Sequence, residues 1–328
     1  AILAEENRVL EKLSSEYPGK FQVPVRTMEG EMLVPDEGGQ RIYRLLSWIE
    51  GSPLAETEHS AGLFRSFGSL LARMDLSLEG IESSSLRARR YDWDNAQFDL
   101  NRGNIALIED PQTRKLVDYY HLQYHEQVVP ELPVLRRGLI HNDANDYNIL
   151  VQGEEVCGVI DFGDLVHSPL INELAIALAY ALLHKDEPLK WAGPLVSGYA
   201  GALALQEAEI QVLYWLIATR LCISLCHSAR ARREDPDNEY LFISEKPVVE
   251  LLHKWIAISP LAAGEVFREA AGMPTLIRDT TRQDTLRRWS VLGRNMSLSY
   301  RKPLKMERAA FQYMFDSLGN TFLDLRNN

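Results

Sequence analysis

The 328 residues hold 46% hydrophobic and 25% charged side chains, the balance of an ordinary folded protein with room for two domains or one large one. The net charge of −11 is unevenly spread: residues 274–306 carry +6, which leaves −17 on the remainder. An acidic body disfavours nucleic acid as a partner and suits the approach of a cationic small molecule, although solubility alone accounts for acidic residues equally well.

The chain opens at Ala1 inside a helical pattern, and we expect residues upstream of it in the parent protein. Ile2, Leu3, Val9, Leu10 and Leu13 repeat at amphipathic spacing, and Pro18-Gly19 ends that helix. Residues 20–36 read as a short strand and turn. Gly38-Gly39 then makes a hairpin into a strand over Arg41–Leu46. Ser47-Trp48-Ile49-Glu50-Gly51-Ser52-Pro53-Leu54 interrupts regular structure before a helix over residues 57–76, a strand–linker–helix order that suits a hinge between two lobes. Residues 77–111 are polar and read as irregular. Their Tyr91-Asp92-Trp93-Asp94 cluster offers acidic and aromatic groups to a cationic ligand, or simply packs a loop.

Residues 112–129 form the next predicted helix, stopped by Pro130 and Pro133. Its His121 and His125 share a face at i, i+4, but with no nearby glutamate they read as surface or packing residues rather than a zinc-protease motif. After the central stretch, Ser168-Pro169-Leu170 is expected to open an apolar helix over 170–185, with Asn172 and Glu173 in its first turn, where the helix dipole favours them. The longest apolar run, Leu174–Leu183, is about half of what a bilayer requires, and no secretory signal is evident. We therefore expect no membrane partner. Helices over 187–202, 206–230, 244–258 and 261–271 make the second half an all-α lobe. Cys222 and Cys226 read as core residues and, with Cys157, form no disulfide framework, so a cytoplasmic, reducing setting is expected.

The stretch Leu139-Ile140-His141-Asn142-Asp143-Ala144-Asn145-Asp146-Tyr147-Asn148-Ile149-Leu150-Val151 organises the rest. A polar turn sits between two apolar strand ends, and Val159-Ile160-Asp161-Phe162-Gly163-Asp164 supplies another strand ending on a carboxylate. Asp, Asn and Gly are common turn formers, so either half alone says little. Together they bring Asp143, Asn148 and Asp161 to one mouth. A carboxylate there can meet an acceptor hydroxyl while oxygen ligands hold Mg2+ on nucleotide phosphates, which is what phosphoryl transfer asks of a protein.

HNDANDYN with IDFGD, the hinge SWIEGSPL and the later NELAIALAY resemble the aminoglycoside phosphotransferase family, and most of all its hydroxylysine-kinase-like members. The resemblance spans about residues 1–272. It implies an α+β, protein-kinase-like two-lobe fold, with a truncated N-lobe (1–46), a hinge (47–54) and a largely α-helical C-lobe (55–272) around a catalytic β-hairpin. It implies Asp143 as the catalytic aspartate, His141 as the structural histidine of the catalytic loop, and Asn148 and Asp161 as Mg2+ ligands. ATP or GTP would be the co-substrate, its base contacted by backbone around Ser47, Trp48, Ile49 and Glu50. Glu6 would pair with a nucleotide-binding lysine that, like the phosphate-covering loop, is expected upstream of Ala1. Asp164 and the Tyr91–Asp94 cluster are further candidates for a cationic small-molecule substrate. The family usually has Gly at Asn142, a change expected to alter the loop only slightly, and Asp at Glu173, where the capping role is expected to weaken.

Beyond a basic linker and helix (273–292), residues 293–328 are similar to the start of a class III aminotransferase of the phospholyase-like branch. Their strands over 311–315 and 321–324 read as a hairpin. The resemblance implies pyridoxal phosphate (PLP) only in a downstream part of the parent, and a homo-oligomer formed through that part. A non-catalytic kinase-like binding module and a docking fragment are the alternatives from other classes. A protein kinase is disfavoured, because no Ala-Pro-Glu-like segment follows Asp161-Phe162-Gly163.

Overall fold

The computed structural model describes residues 2–235, 245–292 and 303–325. Helix α1 (Ile2–Glu16) buries Val9, Leu10 and Leu13 on the face the spacing predicts, together with Glu6 and Asn7. A turn closed by the Lys20 amide on the Tyr17 carbonyl follows it, with Gly19 at φ +78°, a conformation Gly adopts without a Cβ penalty. The segment that follows is tied to the middle of the molecule. Phe21 bridges Val159, the Val159 amide donates to the Lys20 carbonyl (3.0 Å), and Lys20 Nζ donates to the Val156 carbonyl (2.7 Å).

Four two-residue strands make the small sheets near the N-terminus. Strand β1 (Pro24–Val25) pairs with β4 (Leu45–Leu46), and β2 (Val34–Pro35) with β3 (Ile42–Tyr43), across a turn with Gly39 at φ +66°. The linker then enters β5 (Ser52–Pro53), which pairs with β7 (Ile149–Gln152), so the expected hinge is itself hydrogen-bonded to the central hairpin.

Helix α2 (Ala61–Leu78) starts at Ser60, whose Oγ accepts from the Leu63 amide at 3.0 Å. Residues 77–111 are less irregular than their polarity suggests. They hold α3 (Ser84–Arg87), a 3-10 segment (Asn95–Asn101) and α4 (Arg102–Ile105). Several of the polar residues are caps: Ser83 Oγ accepts from the Leu86 amide and Asp94 Oδ1 from the Ala96 amide. Helix α5 (Pro111–Gln123), capped by Asp110, runs into a π-helical turn (Tyr124–Val128) ahead of Pro130.

The centre is two nested antiparallel pairs. Strand β7 turns tightly into β8 (Glu155–Val159), while β6 (Arg137–Ile140) pairs with β9 (Val166–Pro169) outside them. Ser168-Pro169 therefore ends a strand rather than opening a helix. Ser168 lies opposite Gly138 in the ladder, and helix α6 (Ile171–Ala181) begins only after Leu170, whose amide is bound to the Arg136 carbonyl.

Every residue of α6 is buried. Around it lie α7 (Pro188–Ala202), α8 (Glu207–Glu234), α9 (Glu245–Ile256) and α10 (Pro260–Ala270). Helix α8 is long and apolar enough to cross a bilayer, but 94% of its most apolar window is buried inside the protein, and Cys222 and Cys226 are core residues on it. Helix α11 (Thr281–Val291) buries none of its residues. The tail forms three antiparallel strands rather than two, β10 (Met306–Ala310), β11 (Tyr313–Asp316) and β12 (Thr321–Leu323). They pack back on the helical body: Ala310 and Phe315 join its core, the Arg308 guanidinium covers the Trp215 ring at 4.4 Å, and Thr321 Oγ1 donates to the Ala257 carbonyl. Residues 293–302 and 326–328 of the aminotransferase-like reading lie outside the described residues.

Helices α2 and α7 cross at backbone contact. A Cβ on Gly68 would stand 2.1 Å from the Leu195 carbonyl oxygen, and one on Gly198 would stand 2.1 Å from that of Arg65. Helix propensity alone favours Ala over Gly by about 1 kcal/mol. The crossing reverses that sign, since neither backbone oxygen can move aside cheaply. Gly68→Ala and Gly198→Ala are each expected to lower stability by about 2–3 kcal/mol; chemical denaturation showing either variant to be more stable than the parent would contradict this packing.

Candidate active site

The loop after β6 is fixed from below by Glu173. This wholly buried carboxylate in the first turn of α6 accepts from the His141 amide at 2.5 Å and the Asn142 amide at 3.3 Å. The expected weakening at this position is thus corrected: the longer Glu side chain reaches the loop backbone. Burial pushes the Glu173 carboxyl above its ordinary value against those amides. Beneath it, Asp75 on α2 is pushed well up by burial and by the Glu173 charge, and accepts from the Tyr199 hydroxyl at 2.5 Å.

His141 braces the loop with both ring nitrogens. Nδ1 accepts from the Asp143 amide at 3.1 Å, which leaves Nε2 to donate to the Ile160 carbonyl at 2.9 Å, and the ring stands edge-on to Phe162. No ring nitrogen is left to meet a substrate. Asn142 sits at φ +67°, the left-handed region that explains why Gly suits this position. Its amide side chain is buried with neither polar atom hydrogen-bonded.

Asp143 is held from two sides. Oδ2 accepts from Asn145 Nδ2 (3.0 Å) and Asn148 Nδ2 (2.9 Å), and Oδ1 accepts from Arg220 Nη2 (2.9 Å). Burial pushes its carboxyl up to about 6; Arg220 opposes this, while Asp164 and Asp161 add to it. Asn145 also accepts from the Tyr147 and Asn148 amides, an Asx turn that sets the loop's return. With Nδ2 spent on Asp143, Asn148 keeps its carbonyl oxygen for another partner. The Ile160 amide binds the Asn148 backbone, placing Asp161 next in line. Asp161 is exposed, at φ +64°, and one carboxylate oxygen accepts weakly from the Gly163 amide (3.4 Å). A neutral amide oxygen and a carboxylate are the hard donors that Mg2+ takes, so these residues fit the ion.

Arg220 was not foreseen. It lies fully buried on α8, where Nη1 also donates to the Trp93 carbonyl (2.8 Å) and Nε to the Tyr180 hydroxyl (3.2 Å). The available signal was a single charge inside the apolar run Val212–Cys226; a buried cation of that kind needs a carboxylate partner.

The acidic–aromatic cluster divides. Tyr91 donates to Asp164 and carries the Arg89 guanidinium over its ring at 4.0 Å. Trp93 stacks on His227 with centroids 3.9 Å apart. Asp92, however, is paired with Arg230 at 2.8 Å, and Asp94 is 1% exposed, accepting from Ser168 Oγ (2.6 Å) and Gln97 Nε2 (3.0 Å). Neither charge is free for a ligand, which corrects that part of the expectation; Trp93 instead carries Arg220, the partner of Asp143, at 4.7 Å from its ring, and the Asp164 charge acts on Asp143.

On the nucleotide side, Glu6 is buried and its described partner is Arg44 at 2.6 Å. The Ser47 peptide groups are used internally, by the Val23 carbonyl and Gln22, and the Glu50 carbonyl accepts from Cys157 Sγ. Base contacts from those groups are therefore corrected. Trp48, its side chain exposed, and Ile49, its side chain buried, keep peptide groups with no intramolecular hydrogen bond among the described residues.

A family model described as "Phosphotransferase enzyme family" matches residues 2–210. Hydroxylysine kinase of Danio rerio is 30% identical over 250 residues, covering 71% of this chain and 70% of that protein. The chain spans about two thirds of the length of the hydroxylysine kinases it matches. Homoserine kinase of Agrobacterium fabrum is 29% identical over 198 residues, 58% of each chain. Among solved structures, a microcompartment-associated aminopropanol kinase superposes with a TM-score of 0.60 over 82% of both chains at 16% identity, a likeness of fold.

The buried, unpartnered Asn142 side chain makes a direct test of the loop. Asn142→Gly removes two unsatisfied polar atoms and the left-handed strain at once, and is expected to raise the unfolding free energy by about 1 kcal/mol. A loss of stability in urea titration would show that the side chain is doing something else.

Proposed function

The chain belongs to the phosphotransferase enzyme family, and from that premise we propose that it moves the γ-phosphate of ATP or GTP to the hydroxyl of an amino alcohol, hydroxylated amino acid or aminoglycoside-like substrate. The observation that carries the reading is Asp143, oriented by Asn145, Asn148 and Arg220 beside the Asp161 carboxylate. Asp143 takes the hydroxyl proton as the substrate oxygen bonds to the γ-phosphorus; the bond to the bridging oxygen breaks and the nucleoside diphosphate leaves with its electron pair. Asn148 and Asp161 would hold Mg2+, which when bound neutralises charge on the phosphates. The free peptide groups of Trp48 and Ile49 offer a donor and acceptor edge to the base. Asp164 suits a substrate ammonium group, in keeping with the names of the hydroxylysine and homoserine kinases to which the chain is similar.

In the fuller version of this reading, the parent acts in the cytoplasm, and residues 293–328 open a PLP-dependent domain that eliminates phosphate or rearranges the amine of the phosphorylated product. That domain would also supply the homo-oligomer contact. The alternative is a non-catalytic nucleotide-binding module. It is disfavoured because Asp143, Asn148 and Asp161 are all present.

A coupled nucleotide-turnover screen of the full-length protein against hydroxylysine, homoserine, ethanolamine, choline and aminoglycosides tests the reading. Asp143→Asn is expected to reduce turnover about 10²–10⁴-fold, and Asp161→Ala to abolish Mg2+-dependent nucleotide binding. Absence of turnover on every acceptor, with nucleotide still bound, would favour the alternative module.

The raised Asp143 carboxyl also sets a pH dependence. Only the ionised form accepts a proton, so kcat/KM is expected to fall on the acid side with an apparent pKa of about 6. Because the shift is upward, the fold favours protonated Asp143: its stability contribution is present at low pH and lost as pH rises through about 6. Arg220→Met removes the opposing cation and should move the acid limb of kcat/KM to higher pH. An unmoved limb would show that another group governs it.

A further inference from the structure

Asp99, His121 and His125 lie outside the site described above, on the 3-10 segment before α4 and on the end of α5 with its π-helical continuation. The i, i+4 spacing places the two imidazoles on one face, but the third group comes from more than twenty residues away and only the fold supplies it. Both Nε2 atoms converge on one oxygen: Asp99 Oδ1 is 2.9 Å from His121 Nε2 and 2.8 Å from His125 Nε2. The three ligand atoms lie within 4.8 Å of one another.

We infer that Asp99, His121 and His125 form a binding site for a borderline divalent transition metal, with zinc as its natural probe, which clamps the 95–101 segment to α5. Two imidazole nitrogens and a carboxylate oxygen are ligands zinc accepts, and solvent completes four-coordination. Tetrahedral zinc with bonds of about 2.0–2.1 Å places neighbouring ligand atoms roughly 3.3 Å apart. Each existing contact therefore opens by a few tenths of an ångström to admit the ion. A small rotation of the exposed Asp99 supplies that.

The rings are already held for the purpose. His121 stands edge-on to Phe98 at 5.2 Å and to His125 at 4.9 Å, and His125 stands edge-on to Tyr124 at 5.7 Å. His121 is largely covered, whereas Asp99 and His125 are open to solvent, so the ion has an entry path and a free coordination position. On binding, each neutral imidazole presents its Nε2 lone pair and carries its proton on Nδ1. The competing possibility is a plain hydrogen-bonded cluster, which would take no metal.

The test is zinc titration of the full chain in excess Mg2+, by isothermal calorimetry and thermal unfolding. One saturable site and a Tm rise of at least ~2–4 °C are expected at saturation, both lost in His121→Ala and in His125→Ala. Cys157→Ser, which removes the partly exposed thiol, should leave them intact. Co2+ should give visible d–d bands without thiolate charge transfer. Zinc binding that is absent, that survives both histidine substitutions, or that disappears with Cys157→Ser would overturn the proposal.

Discussion

The Glu173 carboxylate, buried beneath two backbone amides, is the constraint on which the site depends. His141 and Asn142 cannot leave their places without stranding a buried charge, and an unpaired buried carboxylate costs several kcal/mol. With those amides pinned, His141 can span from the Asp143 amide to the Ile160 carbonyl, so the two loop segments are locked in register by one ring. Arg220 then fixes the other end of the Asp143 side chain from α8. The aspartate is thus positioned by α6 through its backbone and by α8 through its carboxylate.

That arrangement explains why so much helix surrounds so little sheet. A loop with so many polar groups can be buried only where most of them find partners, and α6 and α8 bring those partners in from fixed axes; the Asn142 side chain and Glu173 Oε1 are exceptions, buried without a hydrogen bond. The same demand spreads outward: Asp94, Ser168 and Asn172 form a buried chain of hydrogen bonds that ties the 91–94 segment to β9 and to α6. Residues that look like a ligand-binding cluster in the sequence are in part the struts of its wall.

The helices and the central hairpin were legible because they rest on local periodicity and on apolar runs bounded by turn residues. Asp143, Asn148 and Asp161 could be singled out because two polar turns, each flanked by apolar strands, recur close together; their roles came from the family resemblance. Strand β9 was not legible, since Val166-His167-Ser168-Pro169 has little strand character and owes its conformation to pairing with β6. Asp94 could not be assigned either, because a cap, a buried bridge and a ligand contact all call for the same carboxylate. Arg220 lies 77 residues from its partner, and its signal was only the oddity of a charge inside an apolar helix. Asp99 needed the fold altogether. What the sequence hides is consistently the long-range partner, not the residue type.

The nesting of the strand pairs carries a consequence for chain entropy. Joining β6 to β9 directly would close a loop over residues 141–165, whereas β7 and β8 are joined by only Gly153 and Glu154, with Gly153 at φ +65°. Once that inner turn has formed, the span left to order is little more than half as long, a saving of roughly half a kcal/mol in closure. More important than the amount is where it falls. The two segments that remain, residues 141–148 and 160–165, are the ones that hold His141, Asp143, Asn148 and Asp161. The nesting keeps these residues on short stretches of backbone, where a strand on each side limits how far they can stray.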